Sequence, residues 1–262
     1  MKPYLKRAWA EISLSALEAN IRAISASLQG NTQIMAVVKA DAYGHGEAEI
    51  LQKLTQIGIR YFAVSNLDEA LHVRQYCPDS DVLILGYTPP EYADTLAQNN
   101  IIQGIVSAEY ACTLNARTRI PIRCHVKLDT GMGRIGITGD TPGDCADSIQ
   151  DMSFLRNLKI EGIYTHFAVA DMPDDPEQNA YTEAQKQFIR SVGTELMKRG
   201  VHLKHLHYLN SAGVLYHNDA NSTLARVGII MYGLAPNYPL PVPLDLKPVL
   251  SLKAVISHIK RV

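Results

Sequence analysis

Short runs of apolar residues alternate along the chain with longer stretches in which apolar positions recur every three or four residues. The short runs predict eight strands, at Ile34–Val38, Tyr61–Val64, Val82–Leu85, Ile101–Val106, Arg123–Leu128, Ile160–Tyr164, His205–Tyr208 and Thr223–Val227. The longer stretches predict helices, at Leu14–Leu28, Glu47–Gln56, Leu67–Gln75, Pro90–Asn99, Ala108–Ala116 and Ala180–Lys198. Because strands alternate with helices, we expect a parallel sheet covered on both faces.

The number of these units indicates the architecture. Eight strand–helix units in roughly 230 residues fit a closed (β/α)8 TIM barrel of the α/β class better than an open sheet. We assign residues 1–240 to this barrel, although residues 1–13 could instead pair with a further domain.

The C-terminal end has a different pattern. Five prolines lie between Ala235 and Pro248, which predicts an extended linker. Beyond it, Leu250, Leu252 and Ala254 alternate with polar residues, as in a strand. A lone terminal strand would leave backbone groups unpaired. We therefore expect residues 241–262 to be a linker and the first strand of a C-terminal β-domain that is largely absent from this sequence.

Composition excludes several classes of partner. The 262 residues include 25 Lys+Arg and 26 Asp+Glu, for a net charge of −1. This balance argues against nucleic-acid or membrane binding through bulk electrostatics. No apolar run is long enough to span a bilayer. The four cysteines are far apart and form no C-x-x-C pair, which indicates thiols in a reducing compartment and a cytoplasmic location.

Lys39 is the most informative residue for chemistry. It closes the first predicted strand, and active sites of TIM barrels lie at this end of the strands. A lysine beside an apolar strand end is partly desolvated, so its neutral amine is available to condense with a carbonyl. A surface lysine would be the simpler interpretation. The glycine-rich loop that follows, with Tyr43 and His45, favours close approach of a ligand instead.

Two loops near the end of the barrel predict a phosphate site. Asn210 and Ser211 follow the seventh strand, while Arg226 and Gly228 lie at the end of the eighth. TIM barrels often hold phosphate in these two loops. Either loop alone would also fit an ordinary turn. Together with Lys39, they point to a phosphorylated carbonyl cofactor, for which pyridoxal 5′-phosphate is the obvious candidate.

A third cluster lies at the end of the fifth strand. Lys127 and Asp129 share a face, and glycines then let the chain turn so that Arg134 points inward. An inward arginine suits bidentate recognition of a carboxylate. A solvated loop charge is the alternative interpretation.

The histidines are less informative. His166 follows the sixth strand, and a lone histidine there is more often structural than catalytic. His205 and His207 place two imidazoles on one face of a strand, as a metal site would. No third ligand is evident and H-E-x-x-H is absent, so we predict no metal. The acidic segment 171–177 is interpreted as a solvated loop.

These motifs together resemble the alanine racemase family. The segment Val38–Gly46 is similar to its pyridoxal-phosphate attachment motif, and further matches follow in order at Trp9–Ile12, Leu128–Gly136, Thr165–Phe167, Asn210–Ala212 and Arg226–Gly228. The resemblance covers essentially the whole chain. It extends over the family's N-terminal barrel and only the first strand of its C-terminal β-domain.

The resemblance also implies roles for individual residues. Lys39 would bind the cofactor covalently and act as the base on the D face, and Arg226 would face the pyridine nitrogen. Arg134 would contact the cofactor's phenolic oxygen and the substrate carboxylate, steadied by Lys127, which is carbamylated in many members. His166 would order the groups behind the cofactor. The phosphate would be held by Tyr43, Ser211, Gly228 and Ile229, with Asn210 shaping the loop.

The activity implied is racemisation of L-alanine to D-alanine, which supplies cell-wall peptidoglycan. Racemisation needs a base on each face of the α-carbon. In the family the second base is a tyrosine of the C-terminal domain, contributed across a homodimer, and this chain ends before that stretch. We therefore expect weak or no turnover and a weakened dimer or a monomer. Two alternatives stay open: a serine-type racemase domain, and a pyridoxal-phosphate-binding protein without turnover.

Overall fold

The computed structural model describes residues 7–235 and 244–261. Ten strands occur in these residues: β1 (Ala8–Ile12), β2 (Gln33–Val37), β3 (Tyr61–Val64), β4 (Asp81–Ile84), β5 (Ile101–Ile105), β6 (Ile122–Lys127), β7 (Leu158–Tyr164), β8 (His205–His207), β9 (Leu224–Val227) and β10 (Leu250–Ala254). The strands β2 to β9 form one parallel sheet in the order β8-β7-β6-β5-β4-β3-β2-β9. Hydrogen bonds from Arg226 N to Leu209 O (2.9 Å) and from Thr223 N to Leu206 O (2.8 Å) link β9 to β8. The predicted (β/α)8 barrel is confirmed.

Helices connect successive strands. In the described residues they are α1 (Leu14–Ser27), α2 (Lys39–Gly44), α3 (Glu47–Gln56), α4 (Leu67–Tyr76), α5 (Ala93–Gln98), α6 (Ala108–Arg117), α7 (Pro142–Ser153), α8 (Pro176–Lys198) and α9 (Ser211–Tyr216), with short 3-10 turns at Pro90–Tyr92 and Ile229–Tyr232. Within the two described ranges, no helix is both long and apolar enough to cross a membrane.

The N-terminal caps of two helices show where the sequence prediction was incomplete. The helix α7 was not predicted, although Thr141 and Asp144 form a capping box with Pro142 between them. The helix α8 begins four residues earlier than predicted, since the side chain of Asp175 accepts hydrogen bonds from the amides of Glu177 and Gln178. The interpretation of segment 171–177 as loop is therefore wrong for its last two residues.

The core has two parts. The larger part lies between the strands and the surrounding helices. The smaller part lies inside the barrel and is aliphatic: its buried members, from β2 to β5 and the first residue of β9, are Met35, Val37, Ala63, Leu83, Ile102 and Leu224. The alternation of side chains along β6 to β9 places polar and aromatic groups in the rest of the barrel interior, namely His125, Lys127, Tyr164, His205, His207 and Arg226.

The strand predicted after the linker is present as β10, and it is not alone. It pairs antiparallel with β1, from Ala8 opposite Ala254 to Ile12 opposite Leu250. The premise that β10 has unpaired backbone groups on both sides is therefore wrong. The assignment of residues 241–262 to the start of a β-domain stays a prediction, and residues 236–243 of the predicted linker lie outside the described residues.

Candidate active site

A cavity of about 600 Å³ opens at the carboxyl ends of the barrel strands. The structure brings every predicted site residue to its wall: Lys39, Tyr43, Lys127, Arg134, His166, Asn210, Ser211, Arg226, Gly228 and Ile229. Parallel strands bring residues far apart in sequence to one face in this way. The cavity also has walls that the sequence analysis did not single out, including Leu85, Met132 and Tyr164.

The chain after Lys39 makes a turn of left-handed helix. The φ angles of Ala40, Asp41, Ala42 and Tyr43 are 53°, 52°, 52° and 57°. In this conformation Cβ crowds the following carbonyl oxygen, which disfavours each residue by roughly 1–2 kcal/mol. The loop predicted from its glycines is thus strained at four residues that are not glycine, and the surrounding structure must hold it.

Two carboxylates hold this turn. Asp41 Oδ1 accepts a hydrogen bond from the backbone N–H of Glu47 (2.7 Å). Glu69, on α4, accepts from Ala40 N through Oε1 (2.8 Å) and from Ser65 N through Oε2 (2.7 Å). The sequence analysis missed Glu69. The Asn66 cap of α4 is a signal that could have placed Glu69 near the strand ends.

The loops predicted to bind phosphate converge on Gly228. Its backbone N–H donates to Ser211 Oγ (3.1 Å), and a Cβ at Gly228 would lie only 2.8 Å from the hydroxyl oxygen of Tyr43. Glycine therefore allows two hydroxyls to meet at one point of the wall. Burial raises the pKa of Tyr43, which keeps its hydroxyl protonated. Asn210 caps α9 by accepting from Gly213 N (2.8 Å), so its role here is to shape the loop.

Arg226 is a buried cation, with 4% of its surface exposed. Its Nη2 donates to Thr165 O (2.5 Å), and its Nη1 donates to His207 Nδ1 (2.9 Å) and His207 O (3.1 Å). Within the described part of the chain, its hydrogen-bond acceptors are all neutral. Burial lowers the pKa of Arg226 to about 10, so the guanidinium is charged at neutral pH.

Tyr164 lies beside this cation. The guanidinium carbon of Arg226 is 5.5 Å from the centre of the Tyr164 ring, which favours the positive charge. The hydroxyl of Tyr164 donates to Leu85 O (3.0 Å), and burial raises its pKa. Tyr164 is therefore a neutral donor that the sequence analysis did not identify.

Lys127 is almost fully buried, and its Nζ donates to Leu128 O (2.6 Å). Burial lowers the pKa of this amine to about 8, and the positive charges of Arg226 and Arg134 act in the same direction. A substantial fraction of the amine is therefore neutral and nucleophilic at mildly alkaline pH.

The loop that carries Arg134 is organised by Asp129. Its carboxylate accepts hydrogen bonds from the backbone N–H groups of Gly131 (3.1 Å), Gly133 (3.0 Å) and Arg134 (3.1 Å). Burial would raise the pKa of Asp129, but these backbone hydrogen bonds and the Lys127 charge outweigh it and lower the pKa. The side chain of Arg134 lines the cavity and is accessible to a ligand.

His166 is half-buried at the cavity wall. Burial lowers its pKa to about 3, and nearby cations, first among them Arg226, reinforce the effect. It is consequently a neutral imidazole at physiological pH.

In residues 7–235 and 244–261, no group of three or more His, Cys, Asp or Glu side chains is arranged to hold a metal ion.

Sequence and structure comparisons agree with this geometry. The profile of the family "Alanine racemase, N-terminal domain" matches residues 12–236. The chain is 39% identical over 251 residues to an amino-acid racemase of Enterococcus faecalis, covering 95% of this chain and 35% of that protein. It is 38% identical over 257 residues to an alanine racemase of Desulfovibrio desulfuricans, covering 97% of this chain and 67% of that protein.

The fold of the chain is also similar to that of solved racemase structures. The structure of an alanine racemase of Clostridium difficile 630 in complex with cycloserine superimposes with a TM-score of 0.90 at 33% identity, covering 99% of this chain and 71% of the other. The chain thus spans 71% of that alanine racemase chain and 35% of the Enterococcus protein. The extent of the family match, together with this superposition, shows that the chain belongs to the alanine racemase family and corresponds to its N-terminal domain.

Proposed function

We propose that this chain is the cofactor-binding part of a pyridoxal-phosphate-dependent amino-acid racemase that interconverts L- and D-alanine. One observation carries the proposal: Lys39 and the buried cation Arg226 line a single cavity together with the hydroxyls of Tyr43 and Ser211. A primary amine can condense with the aldehyde of a phosphorylated pyridine aldehyde, a cation that donates hydrogen bonds can face its ring nitrogen, and hydroxyls can bind its phosphate.

The residues present fit this cofactor. Gly228 leaves space where a Cβ would strike Tyr43, and the hydroxyls of Tyr43 and Ser211 lie beside that space as hydrogen-bond donors for phosphate. Arg226 has no carboxylate among its partners in the described residues, so its charge is available to the cofactor's ring nitrogen. When bound, the cofactor supplies a conjugated ring that accepts the electron pair released at the α-carbon.

Each side chain then has a defined task. Lys39 would hold the cofactor through Nζ, and its amine would take the α-proton on its own side of the substrate and return it. Arg226 would donate a hydrogen bond to the ring nitrogen and keep its proton, because a guanidinium with a pKa of about 10 is a weak acid at neutral pH. Arg134 binds the substrate carboxylate through two N–H groups. His166, neutral at working pH, packs behind the ring without adding charge.

Lys127 is proposed to carry a carbamate. Its neutral Nζ attacks carbon dioxide, a C–N bond forms, one C=O electron pair moves to oxygen, and Nζ loses a proton. The product is an anion beside Arg134 and Arg226, whose charges act on Lys127 in the structure. This anion would orient the guanidinium of Arg134 toward the substrate.

Complete racemisation needs a second acid–base group on the other face of the α-carbon. We propose that this group is a tyrosine of the C-terminal β-domain, contributed by a second subunit of a homodimer and lying outside this sequence. The 262-residue chain by itself would then bind cofactor but turn over weakly or not at all. The whole enzyme would act in the cytoplasm and supply D-alanine for peptidoglycan.

Two other functions remain as proposals to be tested against this one. A serine-type racemase domain would share the same cofactor residues and differ in substrate. A pyridoxal-phosphate-binding protein without turnover would bind the cofactor but exchange no α-proton. Deuterium incorporation from deuterated water into L- and D-alanine, and then into serine, separates these proposals from each other.

Cofactor binding is tested by the visible absorbance of the chain after incubation with pyridoxal phosphate, before and after borohydride. We expect a visible band that bleaches on reduction and a pyridoxyl group located on Lys39 by peptide mass mapping. The variant Lys39→Ala should lose the band, while Lys159→Ala, at a lysine whose side chain is 69% exposed, should retain it. A colourless chain, or an adduct elsewhere, would contradict the proposal.

A further inference from the structure

Three histidines lie in the barrel interior beneath Arg226. His125 and His207 are completely buried, and His205 is 6% exposed. His207 Nδ1 is 2.9 Å from Arg226 Nη1, and His207 Nε2 is 3.0 Å from His125 Nδ1. These two contacts connect the guanidinium in the cavity wall to the centre of the barrel.

The donor-only chemistry of arginine determines which atom donates in each of these two hydrogen bonds. A guanidinium has five N–H donors and no acceptor, so His207 Nδ1 must be unprotonated. The proton of a neutral His207 is then on Nε2, which donates to His125 Nδ1. By the same reasoning His125 is protonated on Nε2. The tautomers of both rings follow from their distances to Arg226 and to each other.

Both histidines stay neutral in this environment. Burial lowers the pKa of His125 to about 3 and that of His207 well below its usual value, and the Arg226 charge adds to the effect on His207. On the side of His125 away from Arg226 lies His205. Two cations and two carboxylates act on the pKa of His125 or His205 in opposite directions: Arg123, Lys204, Asp81 and Glu161. A second proton on His207 would place another cation beside Arg226.

A buried arginine can also be held by a carboxylate, but the acceptors of Arg226 in the described residues are His207 Nδ1 and the backbone oxygens of Thr165, His207 and Tyr208. A carboxylate would neutralise the guanidinium. The neutral imidazole of His207, whose Nδ1 lone pair faces Arg226 Nη1, accepts a hydrogen bond from the guanidinium and leaves its net charge in place.

We infer that His207 and His125 form a one-way series of hydrogen bonds that positions Arg226 and preserves its positive charge toward the cavity. His125 is thus a positioning residue, although it does not touch the cavity. That this charge meets the ring nitrogen of pyridoxal phosphate rests on the proposed function. The direction of the hydrogen bonds does not, because it is defined by the chain alone.

The test measures tautomers in the full chain without cofactor. With 15N-labelled histidine, long-range 1H–15N spectra distinguish a protonated Nε2 from a protonated Nδ1. We expect His207 and His125 to be neutral with the proton on Nε2 between pH 6 and 8. A protonated Nδ1 on His207, or a doubly protonated ring, would overturn the inference whether or not the chain binds cofactor.

Two variants test the positioning role. His125→Phe removes the acceptor of His207 Nε2–H, so the His207 signals should move toward a mixture of tautomers. His125→Asn places an amide oxygen near the position of Nδ1, and His207 should remain protonated on Nε2. His72→Phe, at a largely exposed histidine, is the control. Unchanged His207 signals in a folded His125→Phe chain would also overturn the inference. If that variant does not fold, the tautomers measured in the wild-type chain alone decide whether the inference holds.

A second readout concerns the cofactor itself. In His125→Phe, the loss of one buried hydrogen bond behind Arg226 should raise the dissociation constant of pyridoxal phosphate by about tenfold. His125→Asn should remain within about twofold of wild type. Equal losses in both variants would indicate a packing role only and contradict the positioning role. No cofactor binding in the wild type, with the expected tautomers present, would count against the proposed function alone.

Discussion

The carboxylate of Glu69 accepts a hydrogen bond from the backbone N–H of Ala40, the residue that follows Lys39, at 2.8 Å. Its other oxygen accepts from Ser65 N at 2.7 Å. One side chain on α4 therefore connects the ends of two neighbouring barrel strands. It does so beside a left-handed turn that is unfavourable by itself, so Glu69 acts on Lys39 through the backbone.

Substituting Glu69 should disturb Lys39 without touching the cavity. In Glu69→Gln the side chain has one acceptor oxygen, and its NH2 group would face a backbone N–H. We expect the dissociation constant of pyridoxal phosphate to rise by about tenfold, as expected for one charge-assisted hydrogen bond lost. Absorbance titration measures it. Asp68→Asn removes the same charge from the neighbouring residue of α4 and should leave binding unchanged. Equal effects of both variants would show that only charge matters.

The substitution Gly228→Ala should weaken phosphate binding by displacing Tyr43. The φ of Gly228 is −113°, so alanine adds no left-handed strain, and the expected effect comes from the 2.8 Å approach to the Tyr43 hydroxyl. We expect cofactor affinity to fall by about ten- to a hundredfold, equivalent to 1–3 kcal/mol of overpacking.

The double variant Gly228→Ala/Tyr43→Phe provides the control for this clash. Removing the hydroxyl relieves the contact, so the double variant should bind cofactor no more weakly than Tyr43→Phe alone. Gly143→Ala, at a glycine of α7 away from the cavity, should not change binding. If the two effects on affinity simply add, the steric explanation is wrong.

Carbamylation of Lys127 should depend on pH in one direction. Only the neutral amine reacts, and burial lowers the pKa of Lys127 to about 8. The reactive fraction is then about one tenth at pH 7 and about nine tenths at pH 9. With 13C-labelled bicarbonate, a protein-bound carbamate signal should grow through this range. Lys127→Arg should abolish it, whereas Lys159→Arg should not. Signal loss in the second variant would assign the carbamate elsewhere.

The sequence predicted the barrel and part of the wall of its cavity, because these depend on local pattern. Apolar runs define strands, and the rule that barrel sites lie at carboxyl ends brings Lys39, Arg134 and Arg226 together. It did not predict the left-handed turn at Ala40, since four such residues contradict local preference and are held by Glu69 from another helix.

The hydrogen bonds of the interior histidines were not predicted, for a similar reason. His205 and His207 share one face of a strand, and the sequence analysis weighed them as metal ligands. Their hydrogen-bond direction depends on Arg226 and His125, which come from β9 and β6. Such long-range polar contacts have no signal in periodicity. The pairing of β1 with β10 is likewise long-range, joining the two ends of the chain.

The stability of the cofactor-free chain should fall as the pH decreases from about 6.5. His125 and His166 have pKa values lowered to about 3 by burial, and that of His205 is lowered to about 4. The unfolded chain therefore binds more protons than the folded chain between these values and about 6.5, so stability is fully present above that range and is lost as the pH falls. Each such histidine contributes up to about 1.4 kcal/mol per pH unit.

Urea unfolding at pH 6 and pH 5 measures this slope before most carboxylates titrate. In His125→Phe one proton-binding site of the unfolded chain is gone, so the change in free energy of unfolding between the two pH values should be smaller by about 1 kcal/mol. If His125→Phe leaves this change as it is in the unsubstituted chain, His125 binds a proton in the folded chain, contrary to its position as a neutral link behind Arg226.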